Sequence, residues 1–219
     1  MLSPLQERIA LLVATLAEAQ PFALAGGAGL IVHRVIDRLT NDLDFFTPED
    51  GAIGRLLPRL EAALAAAGLH VTRERSLDTF VRLSVTDGAA TTVVDLARDY
   101  RMLPPVATAV GMVAAEEELA ADKLLALAGR IEPRDYLDVS RLVQRHGLDA
   151  LCRLASEKDP GFNRRALADM LLYFPRLARR DFDVDDTTYD RLGDEVASWR
   201  IVLQRGAAPP TREPPGVDL

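Results

Sequence analysis

Apolar residues recur along the chain with two different periods, and the changes of period divide it into elements. From Leu5 to Leu16 they fall three and four apart (Leu5, Ile9, Leu12, Leu16), the spacing of one helical face. Ser3, Pro4 and Gln6 supply a cap, a proline at the first helical position and a capping-box glutamine, which predicts a helix to about Ala19, ended by Pro21. A short apolar strand, Phe22 to Ala25, then runs into a Gly26-Gly27 turn, a helix, and a second strand reaching Phe46. Thr47-Pro48, with Glu49 and Asp50 behind it, predicts another helix start, and Leu56, Leu60, Leu64 and Ala67 carry that helix to Gly68. Alternation returns in 69–75, 79–86 and 91–97, three strand candidates with a hairpin turn at Asp87-Gly88. The stretch 98–114, with Pro104-Pro105 and Gly111, predicts irregular chain. Helical periodicity then resumes at 115–129, from about 133, at 149–158, at 163–174 and at about 187–204. The last of these helices carries Tyr189, Leu192, Val196, Trp199 and Leu203 on one stripe.

This pattern predicts an α+β fold, a mixed β-sheet with flanking helices followed by a C-terminal all-α region. The expected divisions are a sheet domain over 1–104, a helical region over 105–206 closing a cleft, and a disordered tail over 207–219, where four prolines cluster. At 219 residues the chain is long enough to bury a proper core, and 48% hydrophobic with 27% charged residues is ordinary globular composition. No apolar run approaches a membrane span and no secretory signal is read at the N-terminus, so a cytoplasmic protein is expected. Cys152 has no partner for an internal disulfide, and Leu151 and Leu154 beside it predict a buried helix position. The net charge of −7 argues against broad nucleic-acid binding while leaving room for a local basic groove. Lys123 and Lys158 are the only lysines among many arginines.

Candidate chemistry concentrates in 22–46. Successive strand residues point to opposite faces, so Leu43 and Phe45 go to the core and Asp42 and Asp44 project together, about 7 Å apart. Two such carboxylates repel unless a cation lies between them, and a hard divalent metal is the usual occupant. The Gly26-Gly27 turn opens a helix whose backbone N–H groups suit an anion such as phosphate. Asp95 stands on one face of a later strand with Val93 and Ala97, either as a hydrogen-bonded aspartate or as a third acid of the site.

The order Gly-Gly, helix, Thr40, then Asp42-x-Asp44 resembles the DNA polymerase β-type nucleotidyltransferase superfamily. The wording Leu24-Ala-Gly-Gly and Arg38-Leu-Thr-Asn-Asp-Leu-Asp-Phe-Phe46 is most similar to its AbiEii/AbiGii toxin branch. The resemblance implies a nucleotidyltransferase using Mg2+ or Mn2+ on Asp42, Asp44 and Asp95, with an NTP as donor. It further implies a tRNA 3′ end as acceptor and a cognate antitoxin as partner, and no membrane. Lys123-Leu-Leu-Ala-Leu-Ala-Gly-Arg130 resembles the family's Lys-x-x-Ala-x-x-x-Arg helix. Lys123 and Arg130 are thereby implied to meet the nucleotide together with Gly26, Gly27 and Thr40. The family's last motif is an aspartate after that helix; Asp138 is expected to supply it, with Asp135 as the other choice and an Arg134–Asp138 ion pair as the plainer explanation. One departure stands out: Ala28 follows the glycines where the family commonly has Ser or Thr. Transfer to a small acceptor of the antibiotic type, or nucleotide binding without turnover, are the alternatives. Arg73, Arg75, Arg82, Arg164 and Arg165 are candidate guides for an RNA backbone, with solvated surface as the plainer reading, and Lys158→Ala is expected to be silent.

Overall fold

Helix α1 (Pro4–Ala14) begins with the predicted capping box: the Ser3 hydroxyl accepts from the Gln6 amide while the Gln6 side chain accepts from the Ser3 amide. It stops earlier than its periodicity suggests, and a 3-10 turn, Ala17–Ala19, leads into strand β1 (Ala23–Ala25). Helix α2 (Gly26–Val32) follows at once, then β2 (Asp42–Thr47), α3 (Ala52–Ala66) and three longer strands, β3 (His70–Leu77), β4 (Phe80–Thr86) and β5 (Thr91–Arg98). The structure, a computed structural model, describes residues 1–205, so the expected tail over 207–219 lies outside the described residues.

Two expectations for this half are corrected. Thr47 is the last, fully buried residue of β2 rather than a helix cap, and α3 starts five residues later behind Gly51, which has a positive φ. The stretch 98–114 is not irregular: it contains β6 (Val106–Thr108) and β7 (Gly111–Val113). β7 pairs in parallel with β1, so the sheet reaches Val113 and has the order β3-β4-β5-β2-β1-β7-β6. The β2–β5 pair is also parallel and the remaining neighbours are antiparallel, which makes the sheet mixed as expected.

The remaining elements are helices α4 (Glu116–Gly129), α5 (Pro133–His146), α6 (Leu148–Lys158), α7 (Arg164–Met170) and α8 (Asp186–Arg205). The helix expected over 163–174 breaks after Met170 into a 3-10 segment, Leu171–Arg176, which contains Pro175. One apolar core packs α1 and α3 on one sheet face through Ile9, Leu43, Leu56, Leu83 and Leu96. A second joins α2 to the C-terminal helices through Leu30, Leu119, Leu124 and Tyr136, with Phe174 and Phe182 edge-on to one another. Cys152 is buried in the second core, as expected. No helix among the described residues is long and apolar enough to cross a membrane.

Candidate active site

Because β2 alternates, Leu43 and Phe45 are buried in the first core while Asp42 and Asp44 open onto the other face. The register then lays a row of charged residues across the strands. Arg75 lies opposite Arg82, Arg82 opposite Asp95, and Asp95 opposite Asp44. Asp42, Asp44 and Asp95 thus line one cleft of about 230 Å³, together with Gly26, Gly27, Lys123 and Arg130. The Asp44 carboxyl is pushed up to about 7, first by burial and then by the negative charges of Asp42 and Asp95. Burial beside two like charges leaves this carboxyl short of a positive partner, and carboxylate oxygens gathered in one cleft suit a hard divalent cation. Both oxygens of Asp95, by contrast, are already taken: Arg82 Nε donates at 2.9 Å and Nη2 at 2.6 Å. Among the described residues, no three His, Cys, Asp or Glu side chains form a ready metal cage.

The helical side of the cleft is a buried charge network. Lys123 Nζ lies 3.2 Å from Asp135 Oδ1 and 2.8 Å from Asp138 Oδ2, and both aspartates are fully buried. Arg130 grips Asp135 through Nε at 2.7 Å and Nη2 at 3.2 Å. Burial alone would raise the Asp135 carboxyl, but the Arg130 hydrogen bonds and the Lys123 charge outweigh it and hold it below the ordinary value. Asp138 does not pair with Arg134. It receives a two-pronged bond from Arg38, Nε at 2.8 Å and Nη2 at 2.7 Å, from a loop one hundred residues earlier. Arg134 instead reaches across the cleft to Asp42, 3.5 Å away. Asp135 and Asp138 therefore both hold Lys123, and the cationic groups left half-exposed on the helical side of the cleft are Arg130 and Arg134.

Local geometry explains the glycine and threonine. Gly26 has φ +57°, and a β-carbon there would collide with the Asp44 carboxylate, so this acid stands directly over the start of α2. A β-carbon at Gly27 would crowd the Thr40 hydroxyl and the Arg38 guanidinium. Thr40 donates to Asp42 Oδ1 at 2.7 Å and so orients the first acid. Its own carbonyl is held by buried Gln6, whose Nε2 donates to it at 2.9 Å and to Thr92 Oγ1 at 3.2 Å. Ala28 is fully buried and turned away from the cleft into the first core.

Sequence reasoning missed Arg38 and the roles of Arg82 and Arg134, because each finds its partner through space rather than at a fixed spacing. Lys158 is buried, 2.6 Å from Glu118 and 3.4 Å from Asp99, and also paired with Asp122. Burial opposes its charge, but those acids win and hold it above the ordinary lysine value. Of the candidate RNA guides, Arg73 pairs with Glu61 and Arg164 with Asp149, while Arg75 and Arg165 are exposed.

The mixed sheet, the paired acids beside a glycine turn and the cationic side chains Lys123, Arg130 and Arg134 facing them define a nucleotidyltransferase. The family described as "Nucleotidyl transferase AbiEii toxin, Type IV TA system" matches residues 10–192, and the chain belongs to that family. Among solved structures, JHP933 from Helicobacter pylori aligns over 94% of this chain and 97% of its own, at 19% identity and a TM-score of 0.57. MenT4, the nucleotidyltransferase toxin Rv2826c from Mycobacterium tuberculosis, aligns over 95% of this chain and 87% of its own, at 18% identity and a TM-score of 0.64. At such identities the likeness is one of fold. A search of curated proteins gave no significant match.

Proposed function

We propose that the protein is a metal-dependent nucleotidyltransferase of the cytoplasm that moves a nucleoside monophosphate from an NTP to the 3′ end of tRNA, as the toxin half of a type IV pair restrained by a cognate antitoxin. The observation that carries this reading is the opposition, across one cleft, of Asp42 and Asp44 to Lys123, Arg130 and Arg134. Asp42 and Asp44 would hold Mg2+ or Mn2+, with Asp95 as the third acid. A divalent cation bound there supplies charge neutralisation at the triphosphate and activation of the attacking oxygen.

The protein's own groups do the positioning that phosphoryl transfer chiefly requires. Thr40 fixes Asp42, Gly26 lets Asp44 sit over α2, and Arg130 and Arg134 present half-exposed guanidinium groups to the phosphates. Lys123, fixed by Asp135 and Asp138, adds a buried positive charge behind them. With Ala28 in place of a hydroxyl residue, the phosphates would rely on backbone N–H groups and these cations. The tRNA acceptor draws support from the row Arg75–Arg82, whose guanidinium groups both lie 5.7 Å from the Phe80 ring at the rim of the cleft. Arginine beside a half-buried ring suits an unpaired nucleic-acid end.

The test is to incubate the protein with each labelled NTP, Mg2+ or Mn2+, and either total tRNA or a panel of small antibiotic acceptors. Label is expected on tRNA, and Asp42→Asn or Asp44→Asn should abolish it while leaving the fold intact. Binding of tRNA should weaken steeply with salt, and Arg75→Gln should lower the log–log slope by about 1. Label on a small acceptor alone would replace the tRNA reading, and nucleotide binding without any transfer would replace catalysis.

A further inference from the structure

The guanidinium of Arg82 occupies the place on Asp95 that a catalytic cation would need. Asp95 is nearly buried, and the Arg82 fork engages both of its oxygens and balances its charge. The pairing is directly cross-strand, so the fork meets the carboxylate without bending either backbone. Arg82 itself is 44% exposed, and its guanidinium lies 5.7 Å from the Phe80 ring on the side leading out to Arg75. The fork is bidentate, but Arg82 stands open to solvent, so a divalent cation of higher charge can compete with it for the Asp95 carboxylate.

We propose, resting on the metal-dependent reading above, that Arg82 is a displaceable cap on the third acid. In the nucleotide-free protein it balances the Asp95 charge and keeps that carboxylate from a metal; a divalent cation arriving with the nucleotide takes its place and sends the arginine to the rim. Arg82 is thus a positioning residue that makes full metal loading wait for substrate. Three acids in one small cleft would otherwise draw free divalent ions at any time, with no nucleotide present.

The experiment is a Mn2+ titration of the nucleotide-free protein, followed by electron paramagnetic resonance of the unbound ion. Arg82→Gln is expected to bind Mn2+ about fivefold more tightly, or to gain a second site, because the worth of a half-exposed pair is of that order. The Arg82→Gln/Asp95→Asn double variant should return to the wild-type curve. Arg130→Gln removes the same charge from the same cleft without touching Asp95, and should change the curve much less. Arg82→Lys keeps the charge and loses the fork, so an intermediate curve is expected, and it serves if the glutamine variant folds poorly. Equal binding by wild type and both Arg82 variants would overturn the cap. So would an Arg130→Gln curve matching that of Arg82→Gln, which would make the effect one of net charge. No Mn2+ binding by any form, even with an α,β-methylene NTP analogue, would instead overturn the metal-dependent reading on which the cap rests.

Discussion

Asp44 ends the charged row beside Asp95, with Asp42 two residues away on its own strand and Gly26 pressed beneath it, and its carboxyl is pushed up to about 7 from an ordinary 3.8. Between those two values the folded chain binds more protons than the unfolded one, so stability falls as pH rises from about 4 to 7 and is level beyond. Asp44→Asn should therefore raise the melting temperature at pH 8 in EDTA and leave it nearly unchanged at pH 4. A gain that is the same at both values would show that the charge of Asp44 is not the cause. Gly26→Ala faces both a positive φ and the Asp44 carboxylate, and should cost more than about 1 kcal/mol in urea unfolding. At this scale the sequence was legible wherever geometry is local: strand alternation alone puts Asp42 and Asp44 on one face. Arg38 and Arg82 were not legible as partners of Asp138 and Asp95, since neither pairing follows from spacing along the chain.

The helices announce themselves through caps, prolines and stripes, and α4, α5 and α6 lie within a residue or so of their expected bounds. Strands of three residues carry no readable period, and so β6 and β7 passed as irregular chain between prolines and Gly111. Thr47 misled for a different reason. The cap-then-proline signal is local, and the buried pairing of Thr47 with Arg98 in the neighbouring strand overrode it. Lys158 shows the same limit for α6, since its acids come from α4 and from the loop after β5. Glu118 also accepts from the Met102 and Leu103 amides, so this cluster ties that loop to both helices. Lys158→Ala would leave Glu118 and Asp122 facing one another without a cation. Asp122, already pushed up to about 6 mainly by burial, would be driven higher. The variant is expected to lose about 3 kcal/mol in urea unfolding, as for other broken buried pairs. A loss near zero would make the replacement silent, as expected from the sequence, and would strip the cluster of any structural role.

For the whole molecule, the class of fold could be expected from the chain while its strand order could not. β1 joins β2 antiparallel and β7 in parallel, and that choice depends on how two cores share the faces of one sheet. The cleft forms where those cores meet, with acids from the sheet and cations chiefly from the helices. The two halves are also far apart in the order of synthesis. Asp42, Asp44 and Asp95 leave the ribosome first, and Lys123, Arg130, Asp135 and Asp138 follow some seconds later at about 5–20 residues per second. A growing chain therefore carries its acids before it carries the groups that would work with them, and a chain broken off in the stretch between β5 and α4 never acquires the second half. For a member of a toxin family, the order of the cleft along the gene leaves any copy that stops before α4 without its helical half.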